Sequence, residues 1–73
     1  MNRCTLLVWS YIAQHADSLD ICEHSVVSIG KAVGYSVPAV YQSLDKLRAG
    51  GYITKVHGYR LDQKAVRGLE THN

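Results

Sequence analysis

Polar side chains of the types and spacing that could recognise a ligand lie in one stretch, from Ser36 to Ile53. Val40, Leu44 and Leu47 recur at i, i+4 and i+7, which predicts a helix that buries this stripe. The opposite helix face carries Pro38, Gln42, Asp45 and Lys46, with Tyr41 on its flank. A face of this composition can form hydrogen bonds to a partner, so we predict a recognition surface here.

Catalytic and metal-binding chemistry have weak support in this sequence. It contains no Gly-rich phosphate loop, no paired-carboxylate or nucleophile motif, and its isolated Ser, His and Asp residues suggest no triad. Cys4 and Cys22 form no C-x-x-C pair, and with His15, Glu23 and His24 they match no zinc spacing. We therefore expect a non-enzyme with reduced cysteines and neither metal nor cofactor.

The 73 residues and 47% hydrophobic content predict a single domain over 1–73 with a real core. Net charge is +2 but uneven, with −1 over residues 1–34 and +3 over residues 35–73. The cationic excess suits an anionic partner, although ordinary solvated surface charge is the alternative. Without a membrane-length apolar run or a signal peptide, we expect a soluble, cytoplasmic protein with no membrane partner.

The first helix is predicted over about residues 3–16, with Asn2 as its cap. Its apolar surface is wider than the single stripe expected of a helix on a small core. Either the helix is unusually well buried within the monomer, or part of it packs against another chain. We favour a homodimer through this helix. The interface residues would be Leu6, Trp9 and Ala13, with a core position as the alternative for the tryptophan.

Two more helices follow with a tight connection. The second spans 25–34, with the serine as N-cap and the glycine as its stop. The third begins after Ser36 or Val37 and ends at Gly50-Gly51. Gly30 inside the second helix costs roughly 1 kcal/mol relative to alanine. A close approach of the next helix would explain that cost, and the whole unit predicts a helix-turn-helix.

After Gly51 the pattern alternates, which predicts a two-stranded hairpin over about residues 52–61. His57-Gly58 would form a two-residue turn. The resulting register pairs Val56 with Tyr59 and Lys55 with Arg60. Two cations would then share one face, where an anionic partner would relieve their repulsion. Residues 62–73 have weak helical character and are predicted to form a tail or a short helix.

This order of elements resembles the winged helix-turn-helix family over residues 3–61. The first matching segment is Ile29-Gly30-Lys31-Ala32-Val33-Gly34, which is similar to the family's second helix. The next is Ser36-x-x-x-Val40-x-x-x-Leu44-x-x-Leu47-x-x-x-Gly51-x-Ile53, which is similar to its third helix and first wing strand. The chain departs at Gly30, usually alanine in the family, and in its short wing. We therefore expect an α+β, mostly helical, three-helix fold with a two-stranded β-hairpin wing.

The resemblance implies binding to double-stranded DNA, with the helix at about 37–49 in the major groove and the wing at about 52–61 on the backbone. Glutamine can contact adenine through two hydrogen bonds, which makes Gln42 the expected base-reading residue. These side chain types also occur on ordinary surfaces, and His57 suits a turn by its backbone alone. The expected DNA-binding residues are Ser25, Ser28, Pro38, Ala39, Tyr41, Gln42, Lys46, Lys55, His57 and Arg60.

Three functions stay open at this point. The first is a small, sequence-specific transcription regulator. The second is a protein-interaction module or coactivator of a larger DNA-bound regulator, which the low net charge, Asp45 and the apolar first helix favour. The third is a plasmid or phage replication or partition factor, since similar wings occur in initiators.

Overall fold

The computed structural model describes residues 1–55 and 58–62, and within these it has three helices and three strands. The helices are α1 (Arg3–Gln14), α2 (Val26–Val33) and α3 (Val37–Ala49). The strands are β1 (Ile21–Cys22), β2 (Ile53–Lys55) and β3 (Tyr59–Leu61). They form one antiparallel sheet in the order β1-β3-β2. The predicted α+β, mostly helical class is confirmed.

Side-chain caps fix where the three helices begin. Asn2, Ser25 and Ser36 each accept a hydrogen bond from the backbone N–H three residues onward, at 2.8, 3.1 and 3.4 Å. Each bond satisfies an amide that the helix itself leaves free. Ser36 rather than Val37 is therefore the N-cap of α3. The predicted helix starts are confirmed, whereas α1 ends at Gln14, earlier than predicted.

The connection between α2 and α3 depends on two glycines. Gly34 ends α2 in the left-handed conformation, with φ of 78°, and its N–H donates to the Gly30 carbonyl at 2.9 Å. A Cβ at Gly30 would lie 2.9 Å from the Tyr35 carbonyl oxygen and 3.6 Å from Val40 Cγ2. The close approach is therefore to the turn at Tyr35 rather than, as the sequence had suggested, to α3, because the distance to Val40 is an ordinary van der Waals contact.

Helix α1 is covered on several sides by the rest of the chain, since it contacts α2, α3, β1 and β3. This explains its wide apolar surface within one subunit. Trp9 is only 6% exposed and meets the Tyr52 ring edge-to-face, with centroids 5.3 Å apart. Its predicted place in a dimer interface is corrected to the core. Leu6 and Ala13 are exposed, and the homodimer stays a prediction.

The hairpin register differs from the predicted one. Lys55 pairs with Tyr59, and Thr54 pairs with Arg60. The predicted pairing of Lys55 with Arg60 is therefore wrong. Three residues rather than two lie between the paired Lys55 and Tyr59, and this shifts every pairing by one position.

Gly58 is needed for packing between strands. A Cβ at this position would overlap the carbonyl oxygen of Cys22 and lie 3.0 Å from the Glu23 Cα. Among the described glycines the positive φ values belong to Gly34 and Gly51, so Gly58 does not serve as a left-handed turn residue. The glycine instead lets β1 approach the hairpin.

Strand β1 makes the sheet three-stranded, which corrects the predicted two-stranded wing. Ile21 pairs with Arg60 and Cys22 with Tyr59. The Asp17 carboxylate orders the preceding turn by accepting from the backbone N–H groups of Leu19 and Ile21, at 2.8 and 3.1 Å. A strand of two residues is too short to show an alternating pattern, so the sequence alone does not reveal it.

Several predictions concern residues outside the described part of the chain. They are the turn contact of His57, the position of Val56 and the tail or short helix over 63–73. Within residues 1–55 and 58–62, no helix combines the length and the apolar character that crossing a membrane requires.

Candidate nucleic-acid interface

The orientation of α3 follows from its buried stripe. Val40, Leu44 and Leu47 are almost fully buried, as their spacing predicts. The opposite face is exposed and carries Pro38, Tyr41, Gln42, Asp45 and Lys46. The sequence therefore predicted correctly which side of the helix is available to a partner.

A set of hydrogen-bonded polar side chains between α1 and α3 was not predicted from the sequence. Thr5 Oγ1 donates to Ser43 Oγ at 3.2 Å, and Ser43 Oγ donates to Cys4 Sγ at 3.2 Å. The Cys4 thiol in turn donates to the Ala39 carbonyl at 3.9 Å. These directional bonds constrain the rotation of α3 more closely than apolar packing does. Ser43 lies between Val40 and Leu47 on the buried stripe, which is the signal that could have identified it.

Two of the predicted DNA-binding residues, both in the first turn of α3, differ in their exposure to solvent. Pro38 is exposed, whereas Ala39 is half-buried. The Ala39 N–H donates to its helix cap Ser36, and its carbonyl accepts from Cys4. Pro38 is therefore the more accessible apolar surface at the start of the helix.

An ion pair lies on the exposed face of α3. Arg48 Nη2 donates to Asp45 Oδ1 at 2.5 Å, and the two side chains are 47% and 65% exposed. Such surface pairs are worth only about 0–1 kcal/mol, so an anionic partner can compete for the guanidinium. The pair also offsets the negative charge of Asp45 on this face. Arg48 was absent from the predicted site because its spacing places it on the flank.

The sheet connects α3 to the strand that carries Arg60. Helix α3 contacts β2, and Thr54 of that strand pairs with Arg60 of β3. On the same strand as Arg60, burial raises the pKa of the Tyr59 phenol. The charges of Tyr41 and Cys22 raise this pKa further, while Arg48 lowers it.

Arg60 occupies the outer face of the sheet. Its strand neighbours Tyr59 and Leu61 are buried, whereas Arg60 is exposed and lies in register between Thr54 and Ile21. The arginine is thus a solvent-facing cation on the central strand. The predicted partner cation, Lys55, is described by its backbone alone and pairs with Tyr59 instead.

The start of α2 brings the predicted serines together. Ser25 Oγ accepts from the Ser28 N–H at 3.1 Å and donates to Ser28 Oγ at 3.0 Å. The Ser25 hydroxyl is therefore occupied by these two bonds at the helix cap. Ser28 is exposed, and its own hydroxyl proton remains available to donate to an anion.

Lys46 lies on the other flank of α3, beside a small cavity of about 160 Å³. The cavity is also lined by Met1, Asn2, Thr5, Leu47 and Tyr52. Small-molecule sites usually enclose about 300–1,000 Å³. A role for Lys46 as a surface cation is therefore better supported than a role in a ligand pocket.

Known proteins offer no guide to the use of this surface. No protein-family model, no curated protein and no solved structure matches the chain.

Proposed function

We propose that this chain is a double-stranded DNA-binding protein of the winged helix-turn-helix type, acting as a small transcription regulator. The strongest support for this proposal is the way in which the fold holds α3. Its back is held by a buried stripe and by hydrogen bonds to α1, while Gln42 on the opposite face is exposed. A helix presented in this way can enter the major groove.

The arrangement of the neighbouring elements supports the same proposal. Helices α2 and α3 are joined by a turn that contains the left-handed Gly34 and tolerates no side chain at Gly30. In a helix-turn-helix, the second helix of the pair enters the groove and the first crosses the backbone. The β2–β3 hairpin, which follows α3 in sequence, takes the place of the wing.

Base readout in this proposal comes from the exposed face of α3. Gln42 would donate to and accept from an adenine edge, which distinguishes adenine from the other bases. Pro38 would contact a thymine methyl group. Tyr41 and Lys46, on opposite flanks of the helix, would contact phosphates and so fix its register in the groove.

Phosphate contacts outside α3 come from the sheet and from α2. Arg60 is an exposed cation on β3, and Ser28 has a hydroxyl proton to donate. Arg48 can turn from Asp45 toward a phosphate, because a surface ion pair is weak. Contacts of this kind give affinity and salt dependence but carry no sequence information.

The proposal is tested by measuring the affinity for random duplex DNA as the salt concentration rises. The logarithm of the binding constant should fall linearly with the logarithm of salt, by about 0.9 for each phosphate neutralised. Fluorescence anisotropy of a labelled duplex provides the measurement. Absence of binding at low salt would contradict the proposal.

A protein-interaction module is the second candidate, because the exposed α3 face also suits a protein. Tyr41 is 53% exposed beside the Asp45–Arg48 pair, and tyrosine and arginine are enriched at protein interfaces. In this case Tyr41→Ala would abolish capture of a larger regulator. Duplex binding would be absent or unaffected by Arg60→Ala.

A further inference from the structure

Three aromatic rings form a cluster between the end of α1 and the start of α2. Tyr11 belongs to α1, His15 follows that helix directly, and His24 precedes the cap of α2. The Tyr11 hydroxyl is hydrogen-bonded to Nδ1 of His24. Ring centroids lie 4.1 Å apart for Tyr11 and His15, and 4.6 Å apart for the two histidines. Both imidazoles are exposed, so an ion from solvent can reach them.

The separation of the two imidazoles suits a shared metal ion. A metal–nitrogen distance of about 2.0–2.1 Å puts each ring centroid about 3.2 Å from the ion. Two rings bound to one ion would then lie about 4.5–5.2 Å apart, for angles between a right angle and a tetrahedral one. The observed separation of 4.6 Å, with the ring planes tilted by 36°, brings both imidazoles within reach of one ion. Among divalent ions, Cu²⁺ binds nitrogen ligands more tightly than Ni²⁺ or Zn²⁺.

The hydrogen bond between the Tyr11 hydroxyl and Nδ1 of His24 leaves Nε2 as the nitrogen that can bind an ion. In the tautomer in which Nδ1–H donates to the phenol oxygen, Nε2 carries the lone pair. Partners of this kind orient metal-binding histidines and fix their tautomer. Tyr11 is therefore a positioning residue for His24.

We propose that His15 and His24 bind one divalent transition-metal ion in neighbouring coordination positions, with Cu²⁺ preferred over Zn²⁺. Within the described residues, no group of three His, Cys, Asp or Glu side chains is placed to hold a metal, so water completes the coordination. The site does not depend on the proposed DNA binding.

Metal binding at this position would affect the protein locally. The ion would join the end of α1 to the residue before the α2 cap Ser25, across the segment that contains β1. A ligand that binds the folded chain alone raises its stability. The ion should therefore raise the unfolding temperature of the protein.

The experiment is a titration of the full chain with Cu²⁺, followed by calorimetry and by the imidazole NMR signals of its four histidines. We expect one ion per chain, with selective broadening of the His15 and His24 signals. His15→Gln and His24→Gln should each weaken binding at least tenfold, and His57→Gln with His72→Gln should leave it unchanged. Repeating the titration with Zn²⁺ should give weaker binding.

Tyr11→Phe tests the positioning role, since the ring remains and only the hydroxyl is lost. We expect about tenfold weaker Cu²⁺ binding. The unfolding temperature without metal should change little, and the electron paramagnetic resonance spectrum should still show two nitrogen ligands. Unchanged affinity would overturn this role for the hydroxyl.

The metal-site proposal is overturned if His15→Gln and His24→Gln bind Cu²⁺ as the unaltered protein does. It is equally overturned if the His57→Gln and His72→Gln pair removes the binding. Broadening in the unaltered protein needs no variant, so a substitution that impairs folding does not remove the test. Duplex affinity measured without metal gives a separate result for the proposed DNA-binding function.

Discussion

Thr5 of α1 donates a hydrogen bond to Ser43 of α3 at 3.2 Å, inside the contact between the two helices. Both residues are only 2% exposed, so neither hydroxyl can turn to bulk water. A buried polar group without a partner costs about 1–3 kcal/mol. The bond therefore favours one rotation of α3, the one that exposes Gln42.

Removing either hydroxyl should destabilise the fold. Ser43→Ala should lower the free energy of unfolding by about 1–3 kcal/mol, because it leaves the buried Thr5 hydroxyl unpaired. Thr5→Val should cost about 0.5–1.5 kcal/mol, because Ser43 keeps its bond to Cys4. The double variant should cost less than the sum, because it leaves no unpaired hydroxyl behind. Urea unfolding measures all three, with the exposed Ser18→Ala as the control. Strictly additive losses would show that the two hydroxyls do not interact.

Releasing Arg48 should strengthen DNA binding. Asp45→Asn removes a negative charge from the α3 face and frees the guanidinium that it pairs with. We expect tighter binding to random duplex and a salt dependence steeper by about 0.9. Glu23→Gln is the matched control, since it changes the net charge equally at an exposed site outside α3. If both variants gain affinity equally, the effect is one of net charge.

Arg60 should contribute affinity without contributing sequence preference. Arg60→Ala should weaken binding to all duplexes alike and reduce the salt slope by about 0.9, because one phosphate contact is lost. Arg3→Ala removes an equally exposed cation from the start of α1 and serves as the control. Equal losses in the two variants would argue against a contact at the sheet.

Tyr59 should make the fold sensitive to alkaline pH. Its pKa is raised in the folded chain, mainly by burial, so the neutral phenol is the form that folding favours. Its contribution is fully present below the unfolded pKa, about 10, and is lost as the pH rises through the folded value. Tyr59→Phe should flatten the loss of unfolding free energy above about pH 10. Tyr35→Phe, at an exposed tyrosine, should leave that loss unchanged.

Local signals explain what could be predicted from the sequence. Ser25 and Ser36 cap the helices through bonds within three residues, and Gly34 ends α2 by its own backbone conformation. The stripe from Val40 to Leu47 depends only on the helical period. The boundaries of α2 and α3 and the exposed face of α3 were therefore accessible without knowledge of the rest of the fold.

The features that were missed depend on contacts between distant segments. Strand β1 is defined by its pairing with β3, where Gly58 lies against the Cys22 backbone. The altered hairpin register occurs at the same place. The Thr5–Ser43 bond joins residues far apart in sequence. The two proposed metal ligands, His15 and His24, were noted in the sequence. Their proximity depends on the packing of both rings against Tyr11.

The central claim is that the Gln42 face of α3 determines which duplex sequence is bound. Selection of bound sites from a random duplex pool, with the unaltered chain, Gln42→Ala and Gln14→Ala, tests it most directly. We expect a defined site, with discrimination at one adenine falling by about 1–3 kcal/mol in Gln42→Ala and unchanged in Gln14→Ala. Recovery of no preferred site, or of the same preference in all three proteins, would contradict the account.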